Sequence, residues 1–256
     1  MLLQGVVIID GFLVSPLGEG ALASMGLATS LGFLLVGLLF ALSNATQILV
    51  SQAHGAANPT ALKSALLCGV AISLVAIALG LALVGLFGGR LIDYFAHAPQ
   101  IASDAKSYLL VFAFAIVCES ISQPMTCYFN GTGKTRLPLY SRLVELPINV
   151  GLSVVLIFGL YGFPELGVVG AAVGSAVAAA FRLAFLITCL TRFEQAMLHA
   201  PGWPQESLPA ALRHHLVFSL PIVGTFYSVS IANSVCGLLY ARMSLTDFAA
   251  MTLIAL

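Results

Sequence analysis

Long stretches without charged side chains are the feature that most constrains this chain. A helix needs about 20 apolar residues to cross the hydrocarbon layer, and an unpaired charge at the centre of that layer is costly. We therefore predict an all-α integral membrane protein, a polytopic helical bundle. The longest stretches free of Asp, Glu, Lys and Arg are Gly20–Leu62, Ser64–Gly89, Leu146–Pro164 and His214–Ala241.

The composition supports the same prediction. Apolar residues make up 60% of the chain and charged residues only 8%, against about 25% charged in ordinary soluble domains. A soluble protein with so few charges would lack a polar outer shell, whereas a lipid bilayer requires none. The formal net charge is zero, so the sequence offers no electrostatic reason to expect a nucleic-acid partner.

The apolar runs and the turn residues between them predict eight helices. The segment 88–103 is predicted to interrupt them, with the amphipathic piece Leu91–Phe95 lying at a membrane interface. Residues 191–212 differ in composition from the rest, because they carry Pro201, Trp203, Pro204 and several charges. The predicted helices are 1–14, 21–51, 61–87, 104–129, 137–160, 167–190, 213–240 and one that begins near 247.

The basic residues predict the orientation, since cytoplasmic loops are enriched in Lys and Arg. If the helices alternate in direction, one side carries six basic residues and the other three. The six-residue side, which includes 191–212, is therefore predicted to be cytoplasmic. Its members are Lys63, Lys134, Arg136, Arg142, Arg192 and Arg213, and those of the opposite side are Arg90, Lys106 and Arg242.

A weak internal repeat is visible when Asp10 is aligned with Cys236. Met25 then falls on Met251, and both halves start on the same side of the membrane, as parallel repeats require. We expect a six-helix N-terminal lobe, 1–190, a cytoplasmic linker, 191–212, and the start of a second lobe, 213–256. By this alignment the chain is expected to be truncated at both ends.

Five segments in order resemble those of the multidrug and toxic compound extrusion (MATE) transporters of the NorM type. The resemblance covers nearly the whole chain. The segments are Ile9–Val14 with Gly18–Ala23, Ser51–Asn58, Asn130–Pro138, Pro147–Asn149 and Phe163–Ala171.

The resemblance implies half of a twelve-helix antiporter rather than an enzyme. Such proteins export cationic or amphipathic compounds in exchange for Na⁺ or H⁺, with no cofactor besides the coupling ion. A multi-pass protein of the plasma membrane, the inner membrane in bacteria, is implied. A complete cavity would need the missing second lobe or a second copy. The sequence departs from many relatives at Tyr227–Ser230, where they carry an acidic residue.

Asp10 is the first candidate for the coupling site. Ion-coupled transport needs an ionisable group in a protected cavity, and Asp10 lies about 9 Å along its helix from the turn that follows it. In the family, an acidic residue in this Asp-Gly context of helix one is the usual cation or proton site. An aspartate that only caps a neighbour near the membrane edge is the alternative.

The helix 137–160 offers Glu145, Pro147 and Asn149 to the same site. Residues four apart share a helix face, and the intervening proline frees a backbone carbonyl. Carboxylate, amide and carbonyl oxygens are ligands that Na⁺ accepts, and the same groups can relay protons. For Glu145, a plain ion pair with Arg142, one turn away, is the alternative.

A polar stripe on the helix 104–129 predicts cavity-lining residues. Glu119, Gln123 and Thr126 follow helical spacing on an otherwise apolar helix. The stripe is predicted to face the bundle interior, where it either lines a substrate cavity or bonds to neighbouring helices.

Three other interpretations of the sequence stay open at this stage. A lipid-linked saccharide flippase of the same superfamily would line its cavity with several basic residues, whereas Arg182 is the only base deep in a predicted helix. A truncated product without activity is a second alternative. An intramembrane enzyme would need a paired constellation such as Ser with Lys or His, and the sequence shows none.

Overall fold

A computed structural model describes residues 9–199, 208–244, 246, 247 and 249. Every regular element within these residues is a helix, which confirms the predicted all-α membrane bundle. The predicted helix ends at 1–8 and beyond 249 lie outside the described residues. The elements are α1 (9–14), a 3₁₀ turn (Ser15–Leu17), α2 (Glu19–Gly55), α3 (Pro59–Leu83), a π-helical turn (Val84–Gly88), α4 (Gly89–Phe95), α5 (Pro99–Gly131), α6 (Arg136–Phe158), a 3₁₀ turn (Leu160–Gly162), α7 (Val168–Phe193), α8 (Gln195–Leu198) and α9 (Leu208–Tyr240).

Five spans in the described part of the chain are long and apolar enough to cross a membrane, namely α2, α3 with α4, α5, α6 and α7. A sixth is formed by α9 if its two halves, which meet at a 45° bend, count as one span. Large apolar side chains cover the outside of the bundle; Leu86 is 69% exposed and Leu110 is 78% exposed. This surface suits lipid, which needs no polar shell.

The segment 88–103 differs from the prediction in its first half. The helical path continues from α3 through the π-helical turn into α4 and ends only at Phe95. No proline interrupts the chain before Pro99, so nothing in the sequence forces the helix to stop at Gly88. The predicted interfacial piece is therefore the last turns of one long helix.

The chain between α7 and α9 is shorter than the predicted linker 191–212. At its start α7 runs on to Phe193 and α8 follows directly, and at its end α9 begins at Leu208. The side chain of Met197 in α8 is buried, and Lys63 donates to the carbonyl of Leu198 at 3.0 Å. Residues 200–207 lie outside the described part.

Helices α6 and α7 pack so closely that only glycine fits at two positions. A Cβ on Gly170 would lie 2.7 Å from the backbone of Leu156, and one on Gly174 would lie 2.3 Å from Oγ of Ser153. Small residues allow such approach between membrane helices. This seam between α6 and α7 holds the candidate site.

Helix α9 packs antiparallel along α2. Gly37 lies against Ser230, and Gly237 lies against the hydroxyl of Ser30. After α9 the chain turns at 241–244, the positions that the repeat alignment places on 15–18. The second lobe itself stays a prediction.

Candidate cation site

The carboxyl group of Asp10 in α1 is enclosed by side chains from α6 and α7. Asp10 is only 1% exposed. Ser175 of α7 donates its hydroxyl to Oδ2 at 2.5 Å, and Ser153 of α6 donates to Oδ1 at 3.2 Å. A residue near the start of the chain is thus tied to two distant helices.

Asn149 completes this group, which we call the Asp10 cluster: Asp10, Asn149, Ser153 and Ser175. The fully buried Asn149 amide lies 2.9 Å from Oγ of Ser175. With its nitrogen turned towards Asp10, the amide donates to Oδ1 at 3.2 Å. We adopt this orientation because the hydrogen-bonding network decides the two ends of an amide, and the nitrogen is the end that suits an ionised carboxylate.

The neighbours of Asp10 are neutral. Within the described part of the chain, no Lys, Arg or His side chain forms an ion pair with this carboxylate. Buried charges are normally paired or bind a cation. The carboxylate oxygens of Asp10 and the two serine hydroxyl oxygens are hard ligands that suit an alkali cation, and an unpaired carboxylate can equally take up a proton.

Helical spacing explains how α6 contributes to this cluster. Asn149 and Ser153 are four residues apart and share the face that meets α7. Pro147 lies inside α6 and leaves one carbonyl of the preceding turn without its helical donor. Gly174, next to Ser175, brings the two backbones close enough for these short side chains to reach Asp10.

A second polar group lies further towards the predicted cytoplasmic end of the same seam. Glu119 of α5 accepts from Arg142 of α6 at 3.0 Å on one oxygen, and from Arg182 of α7 on the other. Arg142 also donates to Glu145 at 2.8 Å, and Nε of Arg182 lies 3.8 Å from the same Glu145 oxygen. We call these four residues the charge network; each is less than one-tenth exposed.

The predicted site residues therefore divide between two groups. The structure brings Asp10 and Asn149 into contact, whereas Glu145 binds Arg142, which was the alternative interpretation for this residue. The cause is geometric: Glu145 lies one turn before Asn149 on α6, where two arginines are the nearest partners. Whether any of these residues binds the coupling ion stays a prediction.

The predicted cavity-lining stripe faces the bundle interior. Glu119 and Gln123 are both 6% exposed. Glu119 belongs to the charge network, and Thr126 accepts from Arg182 at 2.8 Å. The side-chain oxygen of Gln123 has no hydrogen-bond partner among the residues that the structure describes. At least two members of the stripe thus bond to a neighbouring helix.

Sequence reasoning missed Ser153, Ser175 and the pairing of Arg182. Extending the spacing from Asn149 by one more turn would have found Ser153. An ion pair between Arg182 and Glu119 could have been predicted, because charged residues inside a membrane usually pair with one another. Ser175 carries no such signal, since it lies in a run of small residues.

A hydroxyl–imidazole pair lies elsewhere, between α2 and α9. Oγ1 of Thr46 is 3.1 Å from Nε2 of His215, and both residues are buried. The Thr46 hydroxyl also lies 3.4 Å from the carbonyl of Leu42. Nucleophilic catalysis generally requires a third group that orients the histidine. Among the described residues no carboxylate does so here. The pair is a polar contact between helices.

Comparison with known proteins identifies the family. The model of the family described as MatE matches residues 1–155. The chain belongs to the MatE family. It is 30% identical over 204 residues to a probable multidrug resistance protein NorM of Rhizobium meliloti (strain 1021), an alignment that covers 76% of this chain and 43% of the relative. The chain thus spans about half the length of the curated relatives it matches.

Solved MATE structures share the fold. An inward-facing MATE family transporter of the MOP superfamily superimposes with a TM-score of 0.81 at 17% identity, covering 97% of this chain and 56% of that one. The eukaryotic MATE transporter AtDTX14 gives a TM-score of 0.79 at 22% identity, covering 94% and 53%. The chain is a multi-pass membrane protein of a transporter family.

Proposed function

We propose that this MATE protein takes part in cation-coupled export of cationic or amphipathic organic compounds, with the Asp10 cluster as its coupling site. The observation that carries this proposal is a buried carboxylate held by neutral donors from α6 and α7. A cation or proton can bind there and leave without breaking an ion pair. The coupling ion, Na⁺ or H⁺, is transported and is not a resident cofactor.

Contacts at the outer ends of the helices support a state that is closed to the outside. Arg242, beyond α9, binds the hydroxyl of Tyr94 in α4, and its guanidinium lies 4.8 Å from the centre of the Tyr94 ring. His97 lies 2.7 Å from the carbonyl of Met243. We call these the outer contacts; Thr246 adds a hydrogen bond to Glu19 at 3.1 Å. Alternating access requires that they open.

Transport also needs a second lobe opposite this one. We propose that the transported compound passes between α1 and α2 on one side and a second six-helix unit that begins with α9. That unit is supplied either by further chain or by a second copy. The antiparallel packing of α9 on α2 places the start of that unit directly beside α2.

The flippase alternative is less well supported by the charged residues. A flippase would present free basic groups to an anionic headgroup, but Arg182 is fully buried and binds Glu119 and Thr126. Arg142 is likewise held by two carboxylates. Neither arginine is free to bind a lipid-linked phosphate.

Dye efflux tests the proposal. A drug-sensitive host without its own exporters would express the chain, and accumulation of ethidium, a cationic dye, would be followed with and without a Na⁺ or H⁺ gradient. We expect gradient-dependent loss of dye in the wild type and no loss in Asp10→Asn, at equal amounts of protein in the membrane. Asp93→Asn is the matched control, because Asp93 is exposed and pairs with Lys106 at the surface.

Two results would overturn the proposal. Absence of efflux by the wild-type chain with a second lobe present, at a normal level in the membrane, would contradict export. Full efflux by Asp10→Asn would contradict the assignment of the coupling site.

A further inference from the structure

The charge network lies beside the Asp10 cluster on the same pair of helices. Glu145 precedes Asn149 by one turn of α6, about 6 Å along the axis, and Arg182 follows Ser175 by two turns of α7, about 10 Å. Asn149 and Ser175 both contact Asp10. The two groups are therefore one to two helical turns apart along the seam, in a membrane-embedded region that screens charges poorly.

The charge network is neutral only while all four members are charged. Two arginines face two carboxylates, and each carboxylate lies near both guanidinium groups. Burying four charges in the membrane is expensive, and a hydrophobic set of similar volume often packs as stably as an ion pair. Stability alone is therefore a poor reason for this arrangement.

Few other ionisable groups surround Asp10 in the described residues. Tyr108 of α5 is buried, and a phenol is uncharged at neutral pH. The nearest element of the second lobe, α9, carries His215 near its cytoplasmic end, bound to Thr46. On α2 the acidic residue is Glu19, at the outer end. The charge network is thus the main set of fixed charges on the three helices around the cluster.

We infer that Glu119, Arg142, Glu145 and Arg182 set the affinity of the Asp10 cluster for its coupling cation through their balanced charge. They act as positioning residues: none of them touches the cation. A network with one extra positive charge would repel a cation from Asp10, and one with an extra negative charge would attract it. This inference rests on the proposed coupling role of Asp10 and adds the residues that tune it.

The size of the effect follows from Coulomb's law. At an effective dielectric constant of about 20, unit charges about 10 Å apart interact strongly enough to change a cation affinity roughly tenfold. Because the four residues lie at different distances, Glu145, the nearest to Asn149 along α6, is expected to have the largest effect among the carboxylates.

Charge-neutralising variants test the inference by direct cation binding. The purified chain in lipid nanodiscs would be titrated with NaCl by calorimetry, and separately with acid while proton uptake is recorded. We expect Glu145→Gln to raise the half-saturating cation concentration roughly tenfold, and Glu119→Gln to raise it by a smaller factor. Arg142→Gln, which removes a positive charge, is expected to lower it by a similar factor. The double variant Glu119→Gln/Arg142→Gln, whose network is neutral again, is expected to return close to the wild-type value.

A merely structural network gives a different pattern. In that case the carboxylate and arginine variants all shift the affinity in the same direction, and the double variant is worse than either single one. That pattern, or unchanged affinity in all variants, would overturn the inference. Asp93→Asn makes the same change in charge at an exposed site and is expected to leave the affinity unchanged.

The two proposals fail in distinguishable ways. If the wild-type chain binds neither Na⁺ nor protons in an Asp10-dependent manner, the coupling site itself is refuted, and the inference about its tuning is refuted with it. If Asp10-dependent binding is present but does not follow the sign of the network charge, only the inference is refuted. Should Glu119→Gln fail to fold, Glu145→Gln and Arg142→Gln still give the opposite signs that decide the question.

Discussion

Asp10 and Ser175 are 165 residues apart in the chain, yet the hydroxyl of Ser175 donates to the Asp10 carboxylate at 2.5 Å. This contact joins the first described helix to α7 and encloses one carboxyl group between them. Since Ser153 makes a longer contact to the same residue, 3.2 Å, the two serines offer a graded test of the site.

Removing the Ser175 hydroxyl is expected to impair transport more than removing that of Ser153. Ser175→Ala removes the shorter hydrogen bond to a charged acceptor, which is worth about 1.5–3 kcal/mol. Initial rates of gradient-driven dye efflux would measure both variants. Thr188→Ala on the same helix is the control, because its exposed hydroxyl bonds only to the carbonyl of Ala184. The reverse order of the two serine variants would contradict this geometry.

The close packing of α6 against α7 predicts that alanine substitutions at two glycines differ in their effect on stability. Gly170→Ala places a methyl group 2.7 Å from the Leu156 backbone, and backbone cannot move aside cheaply. We expect a loss of about 1–3 kcal/mol in the free energy of unfolding. Gly151→Ala on α6 meets open space and is expected to be neutral or slightly stabilising. Unfolding by SDS in mixed micelles would compare the two variants, and equal values would contradict the close approach.

Replacing the buried Arg182 is expected to reduce the free energy of unfolding more than replacing an exposed cation. Arg182→Met leaves Glu119 buried with one partner fewer, and breaking a buried ion pair typically costs about 3–5 kcal/mol. Lys106→Met breaks an exposed pair with Asp93, which is worth about 0–1 kcal/mol. The same unfolding measurement applies. A small effect in Arg182→Met would show that Glu119 is solvated and would contradict its burial.

The outer contacts predict a shift in conformation. Arg242→Ala removes the guanidinium stacked on Tyr94, an interaction worth about 0.5–2 kcal/mol, so the outward-open population is expected to rise between twofold and about thirtyfold. Labelling of Ser30→Cys by a membrane-impermeant maleimide, in a background without the native cysteines, would report the opening, because Ser30 lies against Gly237 between α2 and α9.

Two further variants serve as controls for the labelling experiment. Arg242→Lys keeps a cation near the ring and is expected to change the labelling less. Arg90→Ala removes a basic residue from the same side of the membrane, outside the outer contacts. If Arg242→Ala and Arg90→Ala label alike, the outer contacts do not hold the chain closed.

The fold was predictable because membrane-spanning helices can be recognised in a sequence as long apolar stretches without charged residues. The stretch from Gly20 to Leu62 predicts α2 to within a few residues of its observed start, and glycine or proline marks most helix ends. The path through 84–95 was not predictable in the same way. An amphipathic segment at a membrane interface has the same pattern whether it ends a span or lies flat beside it, and packing decides between the two.

The site was predictable only in part. Asp10 and Asn149 stand out because each is a polar group on an apolar helix, and family resemblance links them. The partners Ser153 and Ser175 are short hydroxyl residues whose hydrogen can equally return to their own helix. Only the close packing at Gly174 directs them to Asp10. Glu145 pairs with Arg142 on its own helix, which the spacing offered as the alternative, whereas the approach of Arg182 from α7 is not visible in the sequence.

Direct binding of the coupling cation tests the central claim of a coupling site at Asp10. The purified chain in lipid nanodiscs would be titrated with Na⁺ by calorimetry and with acid by proton uptake, as wild type and as Asp10→Asn, with thermal unfolding as the check on folding. We predict saturable binding of one of the two cations by the wild type and its loss in Asp10→Asn. Equal binding by the two proteins would contradict the account.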